Sequence, residues 1–497
     1  MQLSTIIKNI EHLEVLNYKD IDIKGISYNS NTINSHEIFV CLKGEHTDGH
    51  NFAQAAFEKG AVALMCEHPL NIEIPQIIVK STQVSIADIS AVFYHNPSHE
   101  INLMGVTGTN GKTTIAHLVQ KIFEQDRKKC ALIGTLGYKF SSSDDYLEAK
   151  HTTPQAPQMQ ETLRKIVNAD IQNVITEVSS HALEQFRVKN CEFSGAIFTN
   201  LTQDHLDFHI TMENYFKAKA KLFEGLKKGS FAVINNDDKW AENFLEVIPE
   251  GVKILTYGVN KESDVMAKNI EFMSDGVNFD CVYDNKSTNF KLHLNGMFSV
   301  YNSLAAICTG ISNDIDIKVI KAALEDTKSV AGRFEIVSTS PMIIVDYAHT
   351  PDGLENILRA ARELTPKEGN LICLFGCGGN RDCTKRPKMG KIAQTLADKI
   401  IVTSDNPRSE DPQQIITDIL SGLTLINPKT VFVEPDRHLA IKLLKDISNE
   451  NDVLVLAGKG HENYQILADR TIHFDDREEV LKVFNPNETK DTLAQLH

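Results

Sequence analysis

The run Gly105-Val106-Thr107-Gly108-Thr109-Asn110-Gly111-Lys112-Thr113-Thr114 has the residue types of a phosphate grip. An apolar stretch predicts a strand over 101–106, and a helix is predicted to begin near Thr113. In such a turn the backbone N–H groups and the helix amino end face an anion. Lys112 can neutralise terminal phosphate charge, and Thr113 can offer its hydroxyl to Mg²⁺. The strict P-loop pattern has its first glycine five places before Gly111, where this chain has Val106. Glycines stand instead at 105 and 108, and Asn110 precedes Gly111. A chance glycine turn is the plainer alternative, and the strand and helix on either side argue against it.

Further chemistry lies downstream. Glu177 falls on an apolar strand expected over 174–178, where a buried carboxylate must be paired or metal-bound. A salt bridge and a hard oxygen ligand for Mg²⁺ are both open, and the upstream phosphate loop favours the metal. Asp204, His205 and Asp207 follow another expected strand, over 195–199, either as a site or as a solvated loop. Taken alone, Tyr215-Phe216-Lys217-Ala218-Lys219-Ala220-Lys221 reads as a basic amphipathic helix. Towards the carboxy terminus, Asp405-Asn406-Pro407-Arg408 and Gly458-Lys459-Gly460-His461-Glu462 combine turn formers with charge. A guanidinium can clamp a carboxylate bidentately, and a glutamate can receive an ammonium. Turn chemistry alone would explain both. Cys373, Cys377 and Cys383 lack the close pairs and fourth ligand of a zinc site and read as buried or incidental thiols.

These residues need elements to hold them. At 497 residues the chain should form several domains. Residues 1–98 carry short strand-like runs and end at Pro97, which biases its predecessor away from helix. Residues 99–330 add expected strands at 231–234, an alternating antiparallel patch over 268–294 and a helix over 302–309. In residues 331–497, expected strands at 342–345, 371–375, 399–403, 430–433 and 453–456 alternate with helices, the pattern of a parallel sheet. They end in Asp346, Gly376, Asp405, Asp436 and Gly458, which should face one crevice together with Arg381, Arg408 and His461. The expected fold is α/β, with a small first domain, a central P-loop ATPase domain and a Rossmann-like third domain.

A net charge of −15 disfavours nucleic-acid and membrane-surface binding. No apolar run reaches the length of a membrane span, and the amino terminus has no signal-peptide pattern. Nine irregularly spaced cysteines suggest reduced thiols and a cytoplasmic protein, expected to be a monomer.

The variant loop Gly-Thr-Asn-Gly-Lys-Thr-Thr resembles that of the Mur ligase family, whose relatives include the folylpolyglutamate synthases. The resemblance implies ATP as co-substrate, Mg²⁺, an acyl phosphate on a substrate carboxylate, and attack by an amine. It assigns ATP contacts to Gly108, Thr109, Asn110, Gly111, Lys112, Thr113, Thr114, Asn302, Arg333 and Asp346. It assigns catalytic or metal roles to Lys112, Thr113, Glu177, His205 and Lys219, the last as a carbamate that turns a cation into an anionic ligand. It also implies a UDP-muramyl-binding first domain, a central ATP-binding domain and an amino-acid-binding third domain.

His151-Thr152-Thr153-Pro154 resembles the motif of the family members that add the third amino acid. That likeness assigns Thr152, Thr153, Ser179, Gln185 and Arg187 to UDP-N-acetylmuramoyl-L-alanyl-D-glutamate. In the first domain only Ser30 survives from the usual Asp-Ser-Arg motif. Asp-Asn-Pro-Arg resembles the signature of meso-diaminopimelate addition, with Arg381, Asp405, Asn406, Pro407, Arg408, Gly458 and Glu462 as the contacts. The implied activity is an ATP-dependent amide ligase of peptidoglycan synthesis acting on the D-glutamate γ-carboxylate. Rivals are a lysine-adding enzyme, a folylpolyglutamate synthase and a regulatory nucleotide switch. Asn260-Lys261-Glu262-Ser263 fails the guanine pattern of such a switch at its last position.

Overall fold

Leu371–Phe375 shows how the chain makes its layers: all five residues are buried. Leu371, Cys373 and Phe375 join one apolar cluster, and Ile372 and Leu374 join another on the opposite face. Alternate side chains of a strand point to opposite faces, so a strand this apolar throughout must be covered on both. Helix Pro351–Leu364 covers one face with Leu354, Ile357, Leu358 and Ala361. Helix Arg437–Asp446 covers the other with Ala440, Ile441 and Leu444. Both sets follow helical spacing.

The computed structural model describes residues 1–44, 47–147, 151–273 and 275–484. Residues 485–497 of the expected third domain therefore lie outside the described residues. Three large sheets succeed one another. The first has the order Glu14–Leu16, Gln76–Ile78, Ala61–Cys66, Glu37–Val40, Gly25–Ser27, with only its first strand antiparallel.

The central sheet runs Lys286–Leu292, Gly276–Tyr283, Val265–Met273, Lys253–Gly258, Phe231–Asn235, Gly195–Phe198, Asn102–Thr107, Asn173–Glu177, Cys130–Gly134, Gly137–Lys139. Its middle is parallel, and antiparallel pairs close both ends. The alternating patch expected over 268–294 is the three-stranded end of this sheet. The helix expected over 302–309 is longer, Met297–Ser312.

The third sheet runs Glu335–Thr339, Met342–Asp346, Val453–Ala457, Leu371–Phe375, Lys399–Val402, Val431–Val433. Only Glu335–Thr339 is antiparallel. That strand was not expected, because it lies at an edge, half exposed and without an apolar run. A hairpin, Tyr464–Ile466 with Thr471–His473, was missed for the same reason. Three of the expected crevice residues, Gly376, Asp436 and His461, lie outside the cavity lining. Asp436 does not line the crevice; its side chain accepts from Leu439 N at 3.1 Å and caps helix Arg437–Asp446. There the turn-chemistry alternative holds.

Candidate active site between the central and third sheets

The carboxyl ends of the central and third sheets face each other across a cavity of about 580 Å³. Its central-sheet wall is the phosphate loop. The loop follows strand Asn102–Thr107 and ends where Gly111, at φ +89°, starts helix Lys112–Gln125. A Cβ on Gly111 would lie 2.5 Å from Asn302 Oδ1, and one on Gly108, at φ +147°, would collide with Thr199 Oγ1. Both glycines are therefore required by conformation and by space. Thr199 Oγ1 donates to Asn110 O at 2.6 Å, and Asn110 N donates to Asn200 Oδ1 at 3.0 Å. The loop is thus pinned by the neighbouring strand end.

Lys112 Nζ donates to Gly108 O and Thr109 O, each at 2.9 Å, and meets no carboxylate within salt-bridge distance among the described residues. Burial, reinforced by the Arg333 guanidinium, pushes its ammonium below the usual lysine range, against Glu177 and Asp204. An anion in the cavity would relieve that cost.

Glu177, fully buried, accepts from Thr135 N at 2.9 Å, Thr135 Oγ1 at 3.0 Å and Thr113 Oγ1 at 3.1 Å. It makes no ion pair among the described residues, so the salt-bridge alternative fails. Thr113 Oγ1 in turn accepts from Arg333 Nη2 at 2.9 Å. Arg333 belongs to the segment entering the third sheet and stacks 4.5 Å from the Tyr347 ring. A second link across the cavity runs from Asn110 Nδ2 to Asp352 Oδ2, at 2.7 Å.

Beside the loop, the His205 and His181 rings meet edge-on at 4.7 Å. Burial lowers His205 to about 3, against the pull of Asp204, and lowers His181 to about 4. Both are neutral imidazoles, the form that binds metals. Burial would raise Asp204, yet His205, Lys385 and His349, at 3.3, 3.5 and 3.7 Å, hold it well below the usual carboxylate range.

Lys219 lies on helix Met212–Glu224 and is 1% exposed, so it does not belong to the solvated face expected of that helix. Its Nζ donates to Gly108 O at 2.8 Å and lies 3.4 Å from Thr107 Oγ1. Burial and the Lys112 charge depress its ammonium strongly. Among the described residues, no three His, Cys, Asp or Glu side chains form a ready-made metal cluster. Mg²⁺ held by Thr113, Glu177 or His205 would have to share its shell with phosphate oxygens and water, which is its ordinary habit.

The opposite wall carries charge in pairs. Arg381 and Arg408 are neighbours, and among the described residues each donates to a backbone carbonyl and neither has an acid within salt-bridge distance. Arg408 Nη1 donates to Gly379 O at 2.8 Å, and Arg381 Nη1 donates to Asn380 O at 3.2 Å. Burial and the Arg381 charge lower the Arg408 guanidinium. Arg408 also adopts φ +54°, a left-handed conformation that a non-glycine residue keeps only when its surroundings impose it. Asp405 and Glu462 line the same wall, with Asn406 Nδ2 donating to Glu462 Oε2 at 2.8 Å. Burial and Asp405 push the Glu462 carboxyl up.

The cavity gathers Thr109 to Thr114, Thr152, Glu177, Ser179, His205, Asn302, Arg333, Asp346, Arg381, Asp405, Asn406, Arg408, Gly458 and Glu462. Asp346 accepts two backbone amides there, from Phe334 and Ala348, each at 2.7 Å. Ser30, Gly108, Thr153, Gln185, Arg187, Lys219 and Pro407 lie outside its lining. Arg187 instead donates to Gln185 Oε1 at 2.7 Å and to Thr153 O at 3.0 Å, beside the first domain's Gln83. Gln83 Nε2 of that domain donates to Gln185 O at 2.8 Å. His461 packs against the Tyr347 ring at 5.1 Å rather than lining the cavity. Cys373 and Cys377 are buried and Cys383 is exposed. Sequence reasoning did not single out Asp352, His349 or Lys385. Their one signal was position, just past a strand or at the start of a helix.

A nucleotide loop facing an amino-acid-like charge pattern, on two sheets that meet end to end, defines a ligase-type site. Profiles of the Mur ligase catalytic, middle and glutamate ligase domains match residues 22–101, 106–310 and 332–460. The UDP-N-acetylmuramoyl-L-alanyl-D-glutamate–2,6-diaminopimelate ligase of Clostridium botulinum is 44% identical over 487 residues, covering 96% of this chain and 98% of that protein. The protein of the same name from Bacillus cereus is 40% identical, covering 96% and 97%. A solved structure of a protein with that name is 32% identical with a TM-score of 0.64, covering 94% of this chain and 95% of that one. The chain belongs to the Mur ligase family.

Proposed function

We propose that this protein joins meso-2,6-diaminopimelate to UDP-N-acetylmuramoyl-L-alanyl-D-glutamate, at the expense of ATP, in peptidoglycan synthesis. The observation that carries it is the cavity itself. A phosphate loop with an unneutralised lysine faces a wall that offers two guanidiniums and two carboxylates. The names of relatives at 40–44% identity support the same reading. We expect the reaction in the cytoplasm, where ATP is available; among the described residues no helix is long and apolar enough to cross a membrane.

In the first step the D-glutamate γ-carboxylate oxygen attacks the γ-phosphorus, the bond to the β-phosphate oxygen breaks, and ADP leaves. Lys112 and the loop amides receive the phosphates, and Arg333 reaches the same place from the third domain. This is mostly positioning and charge neutralisation. In the second step the diaminopimelate amine attacks the acyl carbon, phosphate leaves, and the amine loses a proton. Arg381 and Arg408 take the distal carboxylate, and Asp405 and Glu462 take the ammonium. Asn302 and Asp346 are assigned to the adenosine part of ATP. Ser30, Thr152, Thr153, Ser179, Gln185 and Arg187 are assigned to the nucleotide peptide, supported by the bond from Gln83 of the first domain to Gln185, the residue that Arg187 holds.

Mg²⁺ fits the chemistry of Thr113, Glu177 and the neutral His205, and when bound it would supply positive charge to the phosphates. Lys219 suits carbamylation because its burial favours the neutral amine. That amine adds CO₂ and releases a proton, becoming an anionic oxygen donor. Preparations freed of bicarbonate should lose activity that bicarbonate restores; activity indifferent to it would remove the carbamate from the proposal. The decisive assay is phosphate release with ATP, the muramyl dipeptide and an amino-acid panel. Release that needs both the dipeptide and meso-diaminopimelate supports the ligase. Preference for lysine would make it the lysine-adding type, and hydrolysis indifferent to both acceptors would favour a nucleotide switch.

A further inference from the structure

Lys459 has no part in the reaction as written above, yet it is fully buried beside the residues that do. It follows strand Val453–Ala457, in the turn that carries Gly458 and Glu462. Its Nζ lies 3.6 Å from Asp405 Oδ1, 3.4 Å from Glu462 Oε2 and 3.4 Å from Asn406 Oδ1. Asp405, Asn406 and Glu462 line the cavity and Lys459 does not. The ammonium therefore sits behind the wall and touches the site only through these three side chains.

The acceptors in front of it are incompletely used. Asp405 Oδ1 is buried with no hydrogen-bond partner among the described residues. Among the described residues Glu462 Oε1 accepts only from Tyr464 OH, at 3.4 Å. Two carboxylates and one lysine leave a single negative charge on side chains that line the cavity together with Arg381 and Arg408. Two such acids side by side cannot both stay ionised without a cation. A buried lysine likewise needs its acids. Asn406 ties the group together by donating to Glu462 at 2.8 Å while accepting from Ile466 N at 2.9 Å.

We infer that Lys459 is a positioning residue for substrate choice, holding Asp405 and Glu462 side by side as the acceptor pair for the distal ammonium of the incoming diamino acid. The inference rests on the proposed use of a diamino dicarboxylic acid. One ammonium from the substrate neutralises the remaining charge and pairs with the two acids that line the cavity. An otherwise identical substrate without that ammonium leaves them unpaired, which a buried site penalises.

The test compares meso-diaminopimelate with L-2-aminopimelate, which keeps both carboxylates and the reacting amine but lacks the distal ammonium. Full-length wild type and Lys459→Met are assayed with ATP and the muramyl dipeptide. The substitution should raise KM for meso-diaminopimelate about tenfold, or about 1.4 kcal/mol. KM for ATP and kcat/KM for 2-aminopimelate should stay within about twofold. Lys459→Arg, which restores a cation, should recover much of the loss. Equal losses on both substrates, or an unchanged KM for meso-diaminopimelate, would overturn the role. If the methionine variant fails to fold in a thermal melt, Lys459→Gln carries the same comparison and the same ratio decides. A wild type that does not use meso-diaminopimelate at all defeats the proposed function instead, and that control is read first.

Discussion

On the phosphate side of the cavity, Lys112 donates to carbonyls of its own loop, and the loop takes two contacts from the other domain besides those of its own strand ends, Arg333 on Thr113 and Asp352 on Asn110. On the amino-acid side, Arg408, Asp405, Asn406, Lys459 and Glu462 contact one another within two adjacent turns of a single sheet. The phosphate side is thus completed only when two domains approach, whereas the amino-acid side is complete in one. Backbone groups and one lysine suffice for phosphates, which carry their own charge. An amino acid is recognised by the placement of opposite charges, and those must be fixed before it arrives. On the proposed function, the difference predicts that the ATP step is the one gated by domain approach.

Removing the central cation should break the phosphate side most severely. Lys112→Ala should lower kcat/KM on the order of 10³-fold while circular dichroism and thermal melting report an intact fold; near-normal turnover would reject the loop. The corresponding loss on the other side is Arg408→Ala. It should raise KM for meso-diaminopimelate on the order of 10²-fold and leave KM for ATP nearly unchanged. Equal effects on both substrates would erase the contrast between the two walls.

Arg333→Ala tests the coupling itself. It should lower kcat and raise KM for ATP, each by about tenfold, with little change in a direct measurement of diaminopimelate binding. A larger effect on the amino acid would place Arg333 on the wrong side.

The smallest effect concerns acid stability. Burial depresses His461 well below the usual histidine range, with Arg333 and Arg477 adding to it. Above the unfolded value of about 6.5 both states are neutral and the group costs nothing. As pH falls below that value the unfolded chain takes up a proton that the folded chain refuses, so stability declines towards acid. His461→Gln should flatten the fall in melting temperature between pH 7 and pH 5, and an unchanged slope would show that other groups set it.

Much of this architecture was legible in the chain. Strands such as Leu371–Phe375 and Val453–Ala457 are apolar throughout, and such runs state their own burial. The phosphate loop was legible because local spacing of glycine, lysine and threonine is itself the device. Glu335–Thr339 and the 464–473 hairpin were not, since edge strands need no apolar run and draw their pairing from neighbours. Asp436 shows the converse error. An acid after a strand reads alike whether it faces a ligand or caps the next helix, and only the direction of its side chain separates the two.

By itself, then, the sequence determined the apolar strands and the helices between them, a glycine-lysine-threonine loop at a strand-to-helix turn, and the Asp-Asn-Pro-Arg turn that holds Arg408. Those properties rest on residues adjacent in the chain or a helical turn apart. Tertiary structure alone decided that Arg333 meets Thr113, that Asp204 meets Lys385 and His349, that Lys219 is buried, and that Lys459 stands behind Asp405 and Glu462. In most of these pairs the partners are tens to hundreds of residues apart. Whether a charge faces water or another charge depends on how the sheets stack, and no local spacing records it.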